Sequence, residues 1–250
     1  MTVKLAIAGC CGRMGQRIAA LALANTPPLT VAAAIEAKGH PAIGKPLELA
    51  GSSGAMPVVT DDVTRALQDS DVLIEFTTPE ATMEHVRIAK ELRKPMVIGT
   101  TGLDAERMRV IKEAAAQTPI LLSPNMSVGV NFLFELVRLA AERLPDYKVA
   151  IEETHHAGKK DAPSGTAKRL QEVLAQIKRE DIPCTSTRIG EVVGEHTVTF
   201  TGKSEQLTLT HEAFSRDVFA LGALRAAQFL SHVTRPGLYD MSDALRELRS

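Results

Sequence analysis

The chain has 250 residues, 44% hydrophobic and 24% charged, with a formal net charge of −1. That is enough for one or two globular domains of ordinary make-up. The near-neutral balance excludes a global basic field for nucleic acid or an anionic membrane, and seven Phe, two Tyr and no Trp make poor base-stacking platforms.

Taken in order, Val3–Ala8 reads as a buried strand. It is too short, with the glycine that follows, for a signal peptide or a membrane span, so a cytoplasmic protein is expected. The strand runs into Gly9-Cys10-Cys11-Gly12-Arg13-Met14-Gly15 and then a helix carrying Ile18, Ala19, Leu21 and Ala22. Glycines at the turn, at the phosphate approach and at the helix contact form a dinucleotide-binding arrangement, here spaced G-x-x-G-x-x-G. A second strand, Val31 to Ile35, ends at Glu36, whose carboxylate can accept both ribose hydroxyls of an adenosine. Glu36 should repel the extra phosphate of NADP, while Lys38 can offset that repulsion, so NADH and NADPH both remain open.

The alternation continues with a strand at Asp71–Phe76, a helix from Pro79, and a strand at Pro95–Ile98 ending in Gly99-Thr100-Thr101-Gly102. A helix from Asp104 to Gln117 follows, then Ile120–Leu122 and Ser123-Pro124-Asn125-Met126. Single helices between strands imply a parallel sheet whose ligands bind beyond the strands' carboxyl ends. The Gly12 loop, Glu36, Phe76, Gly99–Gly102 and Ser123–Met126 all fall at that edge.

Ser127 caps the next helix, which bridges to a second domain. There a strand over Tyr147–His156 meets the loop His155-His156-Ala157-Gly158-Lys159-Lys160-Asp161-Ala162-Pro163-Ser164-Gly165-Thr166. A straight strand through His156 would turn the two imidazoles to opposite faces; they serve one ligand only if the strand ends there. Pro163 and the N-cap Ser164 open a helix over 164–179, and the amides of Gly165 and Thr166 lie ahead of its first internal bonds. Those donors, the positive end of the helix dipole and the Lys159–Lys160 charge suit a small carboxylate or phosphate. Alternating stretches at Arg188–Val193, His196–Phe200 and Glu205–Thr210 suggest a mixed sheet; His196 and His211 on them are expected to be structural or surface residues. A helix from Asp217 is broken at Pro236-Gly237 before a short terminal one. The three cysteines, Cys10, Cys11 and Cys184, lack both disulfide-framework and zinc-ligand spacing, so no metal is expected.

The run His155-His156-x-x-Lys159-x-Asp161-Ala162-Pro163-Ser164-Gly165-Thr166-Ala167 resembles the signature of the bacterial dihydrodipicolinate reductase (4-hydroxy-tetrahydrodipicolinate reductase) family. The likeness extends to Gly9–Gly15, Gly99–Gly102, Ser123–Asn131 and Gly237–Met241. It implies an α/β protein: a Rossmann-type parallel-sheet domain over 1–127, with 235–250 packing back on it, and an α+β domain over 128–234 with a mixed sheet for substrate binding and tetramerisation. It further implies NADH- or NADPH-dependent reduction of a cyclic dicarboxylate imine with loss of water, in diaminopimelate and lysine biosynthesis. His155 would be the general acid/base, with Lys159 as proton donor or charge partner. His156, Ser164, Gly165 and Thr166 would hold substrate carboxylates. Gly9, Cys10, Cys11, Gly12, Arg13, Met14, Glu36, Gly99, Thr100, Thr101, Ser123, Pro124, Asn125 and Met126 would line the coenzyme. Ala37 and Thr78 stand where some relatives carry basic residues, which again leaves the coenzyme open. Competing readings are another two-domain NAD(P)-dependent dehydrogenase of amino-acid metabolism, and a non-catalytic dinucleotide sensor that would need neither His155 nor Lys159.

Overall fold

The structure, a computed structural model, describes residues 2–24, 29–50 and 55–246. Met1 and residues 247–250, the ends of the expected N-terminal run and C-terminal return, lie outside the described residues. The chain divides into two compact units, Met1–Met126 with Phe219–Ser250, and Ser127–Val218.

The first unit opens with β1 (Val3–Ala8), α1 (Arg13–Ala24) and β2 (Leu29–Ile35), followed by β3 (Val59–Thr60), α2 (Val63–Gln68) and β4 (Val72–Glu75). It continues through α3 (Pro79–Leu92), β5 (Met96–Ile98), α4 (Ala105–Ala115) and β6 (Pro119–Leu122). The second unit holds α5 (Val128–Arg143), β7 (Lys148–His155), α6 (Gly165–Lys178), β8 (Cys184–Arg188), β9 (Gly194–Thr201) and β10 (Gln206–Ala213). After it come α7 (Asp217–His232), β11 (Gly237–Tyr239) and α8 (Met241–Arg246).

In the first unit seven strands pair in parallel in the order β11-β6-β5-β4-β1-β2-β3. Parallel neighbours need crossover helices, and those cover both faces of the sheet. Leu5 and Ile7 of β1 pack with Ile18 and Ala22 of α1 and with Ala223, Ala227 and Leu230 of α7. Ala6 and Ala8 pack on the other side with Val86 and Ala89 of α3 and Ile111 of α4. Strand order reverses between β1 and its neighbours β2 and β4, which opens a crevice at their carboxyl ends. Side chains also set the helix starts: Thr78, Asp104 and Ser127 each accept a first-turn amide with their side-chain oxygen.

The second unit is a four-stranded mixed sheet in the order β10-β9-β7-β8. β7 pairs antiparallel with β9 and parallel with β8. Inward residues alternate along β7 (Val149, Ile151) and β9 (Val198, Phe200), and they pack against Leu133 and Val137 of α5 and Leu170 and Leu174 of α6. Burying a ring such as Phe200, which has no exposed surface, is worth about 2–3 kcal/mol.

Arg188–Val193 is not a strand: the strand lies earlier, at Cys184–Arg188, and the chain turns at Gly190, whose φ is +53°. β8 is an edge strand of Thr and Ser without an apolar face, so its period-two signal was weak, whereas Ile189 and Val193 alternate by accident in a turn. The short strands β3 and β11 and the helix α2 were not anticipated; two- and three-residue strands carry too little pattern to read.

Candidate active site

The strand β7 ends at His155, and the loop then turns, with the amide of Ile189 donating to the His155 carbonyl at 2.9 Å and that of Ala157 to the Gly190 carbonyl at 3.1 Å. Period two puts Ile151, Glu153 and His155 on the covered face, while Glu152 points outward. Register supplies the neighbours: Glu153 lies opposite His196 on β9, and His155 opposite Arg188 on β8.

These side chains form one buried network. Nδ1 of His155 bonds Oε2 of Glu153. The other oxygen, Oε1, accepts from Arg188 Nη2 at 2.7 Å and from the Ser164 amide at 3.3 Å. The hydroxyl of Ser164 bonds Nε2 of His196 at 3.1 Å, and the rings of His155 and His196 meet edge-on with centroids 5.1 Å apart. Arg188 also donates to the Asp161 carbonyl at 2.5 Å, tying β8 to the lysine loop.

Electrostatics follow from that packing. Burial pushes the Glu153 carboxyl up, but hydrogen bonds from Arg188, Ser186 and His155 outweigh it and hold the group at about 2. Burial lowers the His155 imidazole below its ordinary value; Glu153 opposes the shift, and Lys159 and Arg188 add to it. His196 is lowered to about 4, mainly by burial and then by His155, so it is neutral near pH 7. Its Nδ1 and the Nε of Arg188 are buried without a protein partner.

The helix start completes the group. Ser164 accepts from the Ala167 amide at 3.2 Å, and the first helical bond runs from the Lys168 amide to the Ser164 carbonyl at 2.9 Å. The amides of Gly165 and Thr166 therefore precede the internal ladder, as at any helix start. A Cβ built on Gly165 would meet nothing within 4 Å, so open space lies over that residue. Lys159 pairs with Asp161 at 2.7 Å. His156 is half-buried on the turn, where a Cβ built on Gly158 would sit 3.4 Å from its Nδ1. The structure thus gathers His155, Ser164 and the start of α6 around Glu153, with Lys159 beside them on the same loop.

The second set of sequence candidates lies at the carboxyl edge of the parallel sheet. Gly9 has φ +73°, and a Cβ on Gly15 would stand 2.1 Å from the Gly9 carbonyl oxygen, so the loop lies flush on α1 only because both are glycine. A Cβ on Gly12 would touch only that oxygen, at 3.1 Å, leaving its outer side open. The Glu36 carboxylate accepts from the amides of Cys11 and Ala37, both at 3.0 Å. The Phe76 ring lies across Gly99, and Thr100 Oγ1 accepts from the Thr77 amide at 3.0 Å. Ser123 donates to the Asn125 carbonyl at 2.7 Å. Arg13 is exposed and Met14 half-buried at the start of α1, while Thr101 and Pro124 are exposed at their turns. The side chains of Cys10 and Met126 are buried in the core, so only their backbone can face a dinucleotide.

Two family models cover nearly the whole chain: dihydrodipicolinate reductase, N-terminus, over residues 3–126, and dihydrodipicolinate reductase, C-terminus, over 129–245. The chain belongs to the dihydrodipicolinate reductase family. A 4-hydroxy-tetrahydrodipicolinate reductase of Anaeromyxobacter dehalogenans is 44% identical across 97% of both chains. One of Geotalea uraniireducens is 40% identical across 97% of this chain and 98% of its own. Among solved structures, a dipicolinate-bound dihydrodipicolinate reductase from Paenisporosarcina sp. TG-14 superposes with a TM-score of 0.81 at 24% identity, covering 97% of this chain and 99% of that one. An amine dehydrogenase from Mycobacterium smegmatis shares the fold at a TM-score of 0.71 and 13% identity, covering 98% and 96%.

The protein is therefore an oxidoreductase of lysine and diaminopimelate biosynthesis that depends on NAD(P)H. The residues of the first unit fit such a coenzyme: a bare glycine turn, an open side at Gly12, and a carboxylate held at the end of β2. Among the described residues no helix is long and apolar enough to cross a membrane.

Sequence reasoning missed Glu153, Arg188 and His196. His196, expected to be a structural or surface residue, is 3% exposed and packs on His155, because the antiparallel register of β9 carries it there. Glu153 was within reach of the sequence, since it stands two residues before His155 and so shares its face. Arg188 was hidden by the misplaced strand.

Proposed function

We propose that this reductase converts 4-hydroxy-tetrahydrodipicolinate to tetrahydrodipicolinate with loss of water, with His155 as the proton donor and the start of α6 as the carboxylate anchor. The observation that carries the reading is the Glu153–His155–Ser164–Arg188 network: it fixes one imidazole beside a helix N-terminus and two cationic side chains. A diacid placed there has its charge met by the amides of Gly165 and Thr166, by His156 and by Lys159.

Bound in the first unit, the nicotinamide would supply the hydride. Hydride addition leaves negative charge on the substrate, and a protonated imidazole within hydrogen-bond reach discharges it. His155 is suited to this because Glu153 holds Nδ1 and leaves Nε2 to carry the transferable proton. Its depressed pKa favours release of that proton; carboxylates bound nearby would raise the pKa and recharge it. Lys159 adds positive potential and can take part in proton delivery.

The coenzyme would rest on Gly9–Met14, Glu36, Gly99–Thr101 and Ser123–Met126. The first unit would thus be the dinucleotide domain and the second the substrate and tetramerisation domain. The uncovered face of the second sheet, which carries Ala150, Glu152 and Thr197, would serve as the joining surface. A cytoplasmic location goes with this reading. Its test is NAD(P)H oxidation with freshly made dihydrodipicolinate synthase product. In His155→Gln and Lys159→Ala, kcat should fall roughly 10²-fold or more with coenzyme binding retained; parent-like turnover in both would overturn the assignment.

A further inference from the structure

We propose that Cys10, Cys11 and Glu36 form a binding site for one soft divalent metal ion of the zinc and cadmium class, set into the glycine loop of the first unit. The two sulfurs and a Glu36 oxygen lie within 4.8 Å of one another. The Sγ atoms are 3.8 Å apart. Two thiolates each about 2.3 Å from a tetrahedral zinc stand roughly 3.8 Å apart, so the sulfurs already have the spacing of one edge of such a site.

Neighbouring side chains on extended backbone would diverge. Here the chain curls: Gly9 takes a left-handed φ and the Gly12 amide closes on the Gly9 carbonyl at 2.9 Å. That turn brings both sulfurs to one side. The third ligand is held in advance, because each Glu36 oxygen accepts a backbone amide, from Cys11 or Ala37.

Binding exchanges two thiol protons for the ion, leaving two thiolates and one carboxylate around a divalent centre. Thiolate is the ligand type that selects this class of metal over magnesium or calcium. Three protein ligands leave a fourth position for water. Cys10 is fully buried and Cys11 half-buried; a cleft of about 340 Å³ lined by Cys11, Gln16, His40 and Lys45 opens on the Cys11 side and gives the ion its way in. Cys184 lies on β8, and among the described residues it belongs to no comparable group. It is the internal control.

The consequence rests on the coenzyme placement proposed above: an ion here occupies the Glu36 carboxylate and crowds the loop, so metal and dinucleotide exclude one another. The full-length, metal-free protein is titrated with cadmium, following sulfur-to-metal charge-transfer absorption, and with zinc by equilibrium dialysis. One ion per chain with a thiolate band is expected, unchanged in Cys184→Ser. Affinity should drop more than about 100-fold in Cys11→Ser and in Cys10→Ala, beyond what changes outside the ligand set cost, and about 10-fold or more in Glu36→Gln. Absence of the band in the parent overturns the proposal. So does parent-like binding in folded Cys11→Ser. A fluorescence titration with NADH then separates the two claims: competition with the metal supports both. Simultaneous binding leaves the metal site standing and contradicts the coenzyme placement.

Discussion

Oε2 of Glu153 bonds Nδ1 of His155, and the two residues are held on one face of β7 by nothing more than their spacing of two. The carboxylate fixes the ring's orientation and tautomer, and Arg188 in turn fixes the carboxylate. With His155 as the proposed proton donor, removing Glu153 acts on the chemistry through that ring.

Glu153→Gln should lower kcat about 10- to 100-fold with little change in coenzyme affinity. It should also move the pH profile. Glu153 raises the His155 pKa and Lys159 lowers it, so the midpoint at which kcat/KM falls with rising pH should shift down in Glu153→Gln and up in Lys159→Met. Shifts in the same direction, or none, would show that His155 is not the titrating group.

Stability should fall as the pH is lowered. His196 is depressed to about 4 and Glu153 to about 2. A depressed group contributes stability above its unfolded value and loses it as pH drops through its folded value. The His196 contribution thus disappears between about pH 6.5 and 4, and that of Glu153 between about pH 4.5 and 2, each on the order of 3 kcal/mol. His85, raised because its bond and attraction to Glu75 outweigh burial, acts oppositely and loses its contribution as pH rises through its folded value. Urea midpoints across this range should show a shallower acid slope between pH 6.5 and 4 in His196→Gln.

Gly165→Ala separates binding from folding. The extra methyl meets no protein atom, and alanine suits a helix better than glycine by up to about 1 kcal/mol. The melting temperature should hold or rise slightly. A charge-assisted bond worth about 1.5–3 kcal/mol is put at risk, so KM should rise about 10-fold or more.

Glu36→Ala should narrow or reverse any preference for NADH. It removes the acceptor for the ribose hydroxyls and the charge that repels a 2′-phosphate, so the ratio of NADPH to NADH dissociation constants should drop about 10-fold. An unchanged ratio would count against Glu36 as the adenosine ligand.

The doubly wound half was legible because each strand is a short apolar run followed by a capped helix, and the glycine loop carries its own geometric necessity: Gly15 has no room for a Cβ. The helix start at Ser164 was legible for the same local reason. Register is different in kind. Nothing local in Glu195-His196-Thr197 says that His196 will stand opposite Glu153, and Arg188 reaches His155 only through the parallel pairing of β8. Contacts made by strand pairing depend on distant chain, so Arg188 and His196 escape a reading confined to motifs.

The central claim is that a diacid settles between the start of α6 and the His155 imidazole. NMR titration of the imidazole signals with pyridine-2,6-dicarboxylate tests it directly. The His155 pKa should lie below the ordinary imidazole value in the free protein and rise when the diacid binds, together with a shift of the Gly165 amide signal. A diacid that binds and leaves both signals where they were would contradict it.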